Sequence, residues 1–249
     1  MSMPSLSVSL NLNGSVGKNG KNQPEDVLGV KNRLADLGFP VTRDSLVNPD
    51  TIHIIKLFQS IIKGETVIVG DGRIDLNGFT LPFLQAANAP QWLEMPKGSP
   101  AEGFINHDDR QGDNHDFGTS WMIEMIQSSA QLYLNTYLAS HPSAALIQTN
   151  DLSKPRGGFT SAHATHQTGL SCDIRLPRKD GQSGGIVYTD SQFDRDAMRA
   201  MLKAIKNQSK YAIKRIFFND FTLITEGLCV AAPRHDNHAH IDIIPPPQQ

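Results

Sequence analysis

Apolar residues fall at helical spacing through the first third of the chain. Val27, Val30, Leu34 and Leu37 recur three or four residues apart, and Gly38 stands where a helix C-terminus accepts a left-handed residue. Pro24 suits the first turn of that helix, where its missing N–H has no partner to lose. Ile54, Ile55, Phe58, Ile61 and Ile62 mark the buried side of a second helix over residues 50–63. Asp71-Gly72 makes a turn, and a third helix is expected over 79–87. Residues 23–88 thus read as a small three-helix bundle. Ahead of it, residues 1–22 are rich in Ser, Asn and Gly and read as a flexible leader, although Leu6, Val8, Leu10 and Leu12 alternate as a short strand over 5–13 would. Behind it, Pro90, Pro96, Pro100, Gly98, Gly103 and Gly112 mark residues 89–117 as a linker or long loop.

From residue 118 the pattern is mixed. A helix is expected over 119–139, with Met122, Ile126, Leu132 and Leu134 among its apolar residues, Thr119 as its cap and His141-Pro142 as its end. Short strands are expected over 145–148, 172–176, 213–218 and 238–244, with a helix over 194–205 and a proline run from Pro245 stopping the last strand. The fold class is α+β: a small antiparallel sheet with flanking helices over 118–249, preceded by the helical bundle.

The 249 residues allow one large domain or two modest ones, at roughly 100–200 residues each. Net charge is −2, so no basic field points to nucleic acid. No run approaches the ~18 apolar residues that would insert in a membrane. The N-terminus lacks the basic and apolar stretches of a secretory signal. Cys172 and Cys229 are too few for a disulfide scaffold, and whether they pair is open at this stage.

Five of the nine histidines fall in two tight groups. The first is His163-Ala-Thr-His166-Gln-Thr-Gly-Leu-Ser-Cys-Asp173; the second is His235-Asp-Asn-His238-Ala-His240-Ile-Asp242. On a strand, His238, His240 and Asp242 share one face while Ala239, Ile241 and Ile243 share the other. Asp173 and Arg175 likewise lie opposite Cys172, Ile174 and Leu176, so the apolar residues agree with the polar ones about which way is in. Two imidazoles with one carboxylate suit Zn²⁺, and three protein ligands leave a fourth position for water, as catalytic zinc requires. Asp242 reads equally as an orienting partner for a ligand or as a solvated strand end. A second polar cluster, His107, Asp108, Asp109, Asp113, His115 and Asp116, matches no EF-hand spacing and reads as a solvated loop.

The two histidine groups resemble motifs of the penicillin-insensitive murein endopeptidases, part of the wider lysostaphin and D-Ala-D-Ala metallopeptidase group. The first is similar to that family's His-x-Ser-His-Gln-x-Gly-Leu-Asp-Val-Asp-Ile and the second to its His-x-x-His-x-His, with Arg215-Ile-Phe-Phe218 like the strand before it. Thr165 and the pair Ser171-Cys172 depart from the family pattern. The resemblance implies one catalytic zinc on His166, Asp173 and His240, with His238 as base or transition-state stabiliser and His163 and His235 in the active site, either behind the ligands or facing the substrate. It implies cleavage of peptide cross-links in peptidoglycan. The alternatives are a D,D-carboxypeptidase or wall amidase on the same scaffold, or a non-catalytic wall-binding protein. The pattern Val-x-x-Val-x-x-x-Leu-x-x-Leu-Gly-Phe39, then Phe58-Gln59 and Asp71-Gly-x-Ile74, resembles a three-helix peptidoglycan-binding domain. With no secretory signal, the expected routes to the periplasmic wall are phage-type lysis or a specialised secretion system, the latter bringing an immunity protein as a further partner.

Overall fold

A computed structural model describes residues 9–107, 114–161 and 163–248. Strand β1 (Val16–Gly17) precedes helices α1 (Pro24–Asp36) and α2 (Pro49–Ile62), strand β2 (Arg73–Ile74) and helix α3 (Thr80–Gln85). Pro24 opens α1 as expected, and Asn48 caps α2 in a reciprocal capping box with Thr51. Val27, Val30, Leu34, Ile54, Ile55, Phe58 and Ile61 are buried, so the helical periodicity marks the inward faces.

Part of the expected leader is built into this unit. Val16 pairs with Ile74 across β1 and β2 and is fully buried. The backbone N–H of Asn13 donates to both carboxylate oxygens of Asp26 on α1. A two-residue strand with one buried valine is too short to show as periodicity. The strand expected over 5–13 lies partly outside the described residues, and residues 9–13 are not strand.

The expected linker is largely structured. It supplies β3 (Trp92–Glu94), β4 (Gly98–Ser99), β5 (Phe104–Asn106) and the start of β6 (Phe117–Thr119). Its prolines and glycines break these strands apart, while Trp92, Met95 and Phe104 between them bury into the core. Helix α4 (Ser120–Tyr133) follows, capped by Thr119 and prolonged by a π turn over Leu134–Leu138. Next come β7 (Ile147–Thr149), β8 (Ser171–Arg175), α5 (Arg195–Asn207), β9 (Ile213–Phe217), α6 (Phe221–Thr225) and β10 (His238–Ile243).

Six strands form one sheet in the order β4-β5-β7-β8-β10-β9. The expected antiparallel sheet is mixed in one place, since β5 and β7 pair parallel. At its centre β10 lies antiparallel to β8, with His240 opposite Asp173 and His238 opposite Arg175. Cys172, Ile174, Ala239, Ile241 and Ile243 are fully buried on the apolar face. Cys172 and Cys229 are both free thiols.

One apolar core runs from Val27 and Phe58 through Trp92 to Ile241, so the helical unit and the sheet are packed together. Polar bonds reinforce that junction. Thr168 Oγ1 donates to the Glu65 carbonyl (2.7 Å), Gln167 N to Thr66 O (3.1 Å), and Ile68 N to Gln167 Oε1 (3.2 Å). Among the described residues no helix is long and apolar enough to cross a membrane.

Candidate active site

The side chains singled out in the sequence converge at the centre of the sheet. His240 Nδ1 lies 2.9 Å from Asp173 Oδ1 and 2.9 Å from His166 Nε2, and His166 Nε2 lies 3.2 Å from Asp173 Oδ1. The strand pair explains two of the three, because register sets His240 directly opposite Asp173. His166 comes from the loop before β8, at φ +62°. Ser153 holds that loop: its hydroxyl donates to the His166 carbonyl and accepts from Gly169 N (2.9 Å). Gly169, at φ +66°, lies so close to Gly118 and Trp92 that a Cβ would meet them at 2.7 and 2.8 Å.

Each ring's far nitrogen is committed elsewhere. His166 Nδ1 lies 2.8 Å from the Leu152 carbonyl, which only accepts, so Nδ1 carries the proton. His240 Nε2 lies 2.9 Å from Asp242 Oδ1, which assigns that nitrogen a proton as well. In the neutral rings, two imidazole lone pairs and a carboxylate oxygen then face one point, and a cation or a shared proton must lie among them. The electrostatics lean the same way. Burial pulls His240 down, but hydrogen bonds to Asp173 and Asp242 override it and bring it up to about 9. Burial pushes Asp173 up, yet His166, His240 and His238 hold it well below the usual carboxylate range. The separations approach the edge of about 3.3 Å expected for a tetrahedron with metal–ligand bonds near 2.0–2.1 Å. The three residues therefore fit a metal ion. Asp242, fully buried, is bonded by Ser171 Oγ (2.6 Å) and by Arg215 Nε, which anchors the far side of His240.

A family model of penicillin-insensitive murein endopeptidases matches residues 98–248. The chain belongs to that family. It is therefore a murein endopeptidase by family, with peptidoglycan as substrate and the cell wall as place of action. The match begins inside the expected linker, in agreement with β4 and β5 being part of the main sheet. A search of curated proteins finds no match.

Three further histidines surround the triad. His238 Nε2 lies 3.5 Å from Asp173 Oδ2, and its Nδ1 is 2.8 Å from Asn237 Oδ1. Burial lowers its pKa, against the charge of Asp173. His163 Nδ1 lies 3.9 Å from Asp173 Oδ2, and its Nε2 is 3.0 Å from Asp151 Oδ2. The bond to Asp151 raises the His163 pKa against the cost of burial. His235 packs on Phe217 with ring centroids 5.3 Å apart and on His238 at 4.9 Å, and its Nδ1 meets the Pro233 carbonyl. All three line an open cleft of about 670 Å³ over the triad.

Sequence reading missed Asp151 and Ser153. Both sit in the polar, irregular stretch Asn150-Asp-Leu-Ser-Lys154, with no periodicity to single them out. The expected solvated cluster is also revised. His115 is part-buried 3.5 Å from Asp151, and Asp116 is buried, accepting from Asn106 Nδ2 (3.0 Å). Asp108, Asp109 and Asp113 lie outside the described residues. His115, Asp151 and His163 bring three ligand atoms within 4.8 Å of one another, as do His163, His166 and Asp173.

Proposed function

We propose that this murein endopeptidase is a zinc-dependent D,D-endopeptidase that cleaves the peptide cross-links of the wall, with His166, Asp173 and His240 holding one zinc. The observation that carries this reading is the meeting of His166 Nε2, His240 Nδ1 and Asp173 Oδ1 within 3.2 Å, with both far ring nitrogens already bonded. Bound zinc would supply a Lewis acid and an activated water suited to amide hydrolysis.

The surrounding residues divide the remaining work. His238 stands at the cleft wall with its pKa lowered by burial, so it is neutral near pH 7 and able to accept a proton at Nε2. His163, bonded to Asp151 and raised in pKa, is the group suited to stabilise negative charge on the scissile carbonyl oxygen. His235 supports His238 through their ring contact and closes the same side of the cleft. Residues 23–88 serve as the wall-binding module in this reading, docked on the loop that carries His166.

Muropeptide profiling tests the scissile bond. Purified sacculi treated with the zinc-loaded protein should lose dimeric muropeptides while keeping terminal D-Ala. Release of free D-Ala with dimers intact would instead mark a carboxypeptidase.

A further inference from the structure

Arg175 is the strand neighbour of the triad that the proposed reaction leaves without a task. It lies two residues beyond Asp173 in β8, on the same sheet face, opposite His238. Its side chain lines the cleft over the triad together with Gly184 and Gly185. The guanidinium is built into the wall. A Cβ on Gly184, whose φ is +77°, would fall 2.1 Å from both Nε and Nη2 of Arg175, so only glycine leaves it that space. One hydrogen bond fixes it, from Nη1 to Asn150 Oδ1 at 3.2 Å. Its Nε is buried with no hydrogen-bond partner. Among the described residues, no carboxylate lies within ion-pair distance of it; Asp151 acts only from farther off.

The Nε–H is sealed against Gly184, so the cleft meets the guanidinium at its Nη groups, and a part-buried guanidinium with no carboxylate in ion-pair distance among the described residues is costly unless something else completes it. A planar carboxylate is the group that a guanidinium fork matches best. We propose that Arg175 is a specificity-determining residue that binds a carboxylate of the substrate, the one on the carbon that bears the scissile nitrogen.

Position decides which carboxylate. Asp173 and Arg175 are separated by one strand repeat of roughly 6–7 Å. On the acyl side of the cut, the nearest residue's own carboxyl is the scissile carbonyl, so any free carboxylate there is farther out along the chain. On the amine side, an α-amino acid carries its carboxylate one carbon from the scissile nitrogen. Cross-links closed through the α-amine of such a residue therefore fit. Cross-links closed through a lysine side-chain amine, or through an amidated residue, offer no anion at that place.

This inference rests on the endopeptidase reading for its choice of substrate, and binding separates the two. The probes are a pair of non-cleavable cross-linked dipeptides with a ketomethylene group at the scissile bond. One carries the amine-side carboxylate free and the other carries it as the amide. The parent should bind the free acid at least about tenfold more tightly, and Arg175→Gln should bind both as the parent binds the amide. A melting curve confirms that the variant is folded. Equal affinity of the parent for the two probes overturns the inference without any variant, and so does a preference that survives in R175Q. Hydrolysis of the matched cleavable pair is then read separately. Preference in binding with no cleavage of either peptide would sink the endopeptidase reading and leave the carboxylate site standing. Cleavage with equal affinities would do the reverse.

Discussion

His166 and His240 meet at Asp173 from contrasting pieces of backbone. His240 lies in the middle of β10, hydrogen-bonded between β8 and β9, and its direction follows from strand alternation alone. His166 lies in a loop at positive φ, and its direction depends on Ser153, on Gly169 and on a loop of the helical unit that bonds Gln167 and Thr168. The strand ligand is set by local periodicity with one partner, Asp242, behind it. The loop ligand is set by tertiary contacts spread over more than a hundred residues of chain. Disturbing the two sides in turn should therefore give different signatures.

The largest effect is expected on the strand side, at the ligand itself. His240→Ala should lose retained metal through dialysis and all measurable cross-link cleavage, with the fold intact by circular dichroism. On the loop side, Gly169→Ala should act through stability. A Cβ there meets backbone atoms of Gly118 and Thr119 within 2.8 Å at a left-handed φ, so a loss of about 2–4 kcal/mol is expected in urea unfolding. A G169A protein as stable as the parent would show that the loop is not constrained as described.

Asp242→Asn sharpens the strand side further. It should weaken metal binding about 10–100-fold, as the loss of a buried partner behind a ligating imidazole does. It also has a pH signature. Burial pushes Asp242 up, but His240, Ser171 and Arg215 override it and bring it down to about 2. An unfolded Asp titrates near about 3.9. The ionised form is thus favoured by folding, by roughly 2–3 kcal/mol at neutral pH, and this contribution is lost as pH falls through about 2. The stability gap between parent and D242N should be full above about pH 4 and shrink below it. A gap independent of pH would contradict the assignment.

The smallest effect is expected at the loop's outer clamp. Gln167→Ala removes the bond from Ile68 N to Oε1 and should cost about 1 kcal/mol in unfolding, with metal affinity changed less than about threefold. A larger drop in metal affinity would mean that the helical unit sets the position of His166 more directly than Ser153 does.

The same contrast explains what could be read from the chain. Strands β8, β9 and β10 and helices α1, α2 and α5 follow the period of their apolar residues, so Asp173, His238 and His240 could be placed on one face beforehand. His166 could be singled out by resemblance but not oriented, because the residues that turn it lie at 152, 153 and 118. Apart from β7, strands of two or three residues escaped. Val16–Gly17, Gly98–Ser99 and Phe104–Asn106 sit among glycines, prolines or asparagines, and what makes them strands is the partner across the sheet. Asp151 and Arg175 show the remaining gap: a charged residue's role depends on what faces it, as Asp151 faces His163 and the Arg175 guanidinium faces an open cleft.

The most direct test is elemental analysis of the purified chain coupled to digestion of sacculi, before and after chelation. The account predicts one zinc per chain, loss of cross-linked dimers from the sacculi, and no loss once the metal is stripped until zinc is returned. A metal-free protein that cleaves cross-links as fast as the untreated one would contradict it.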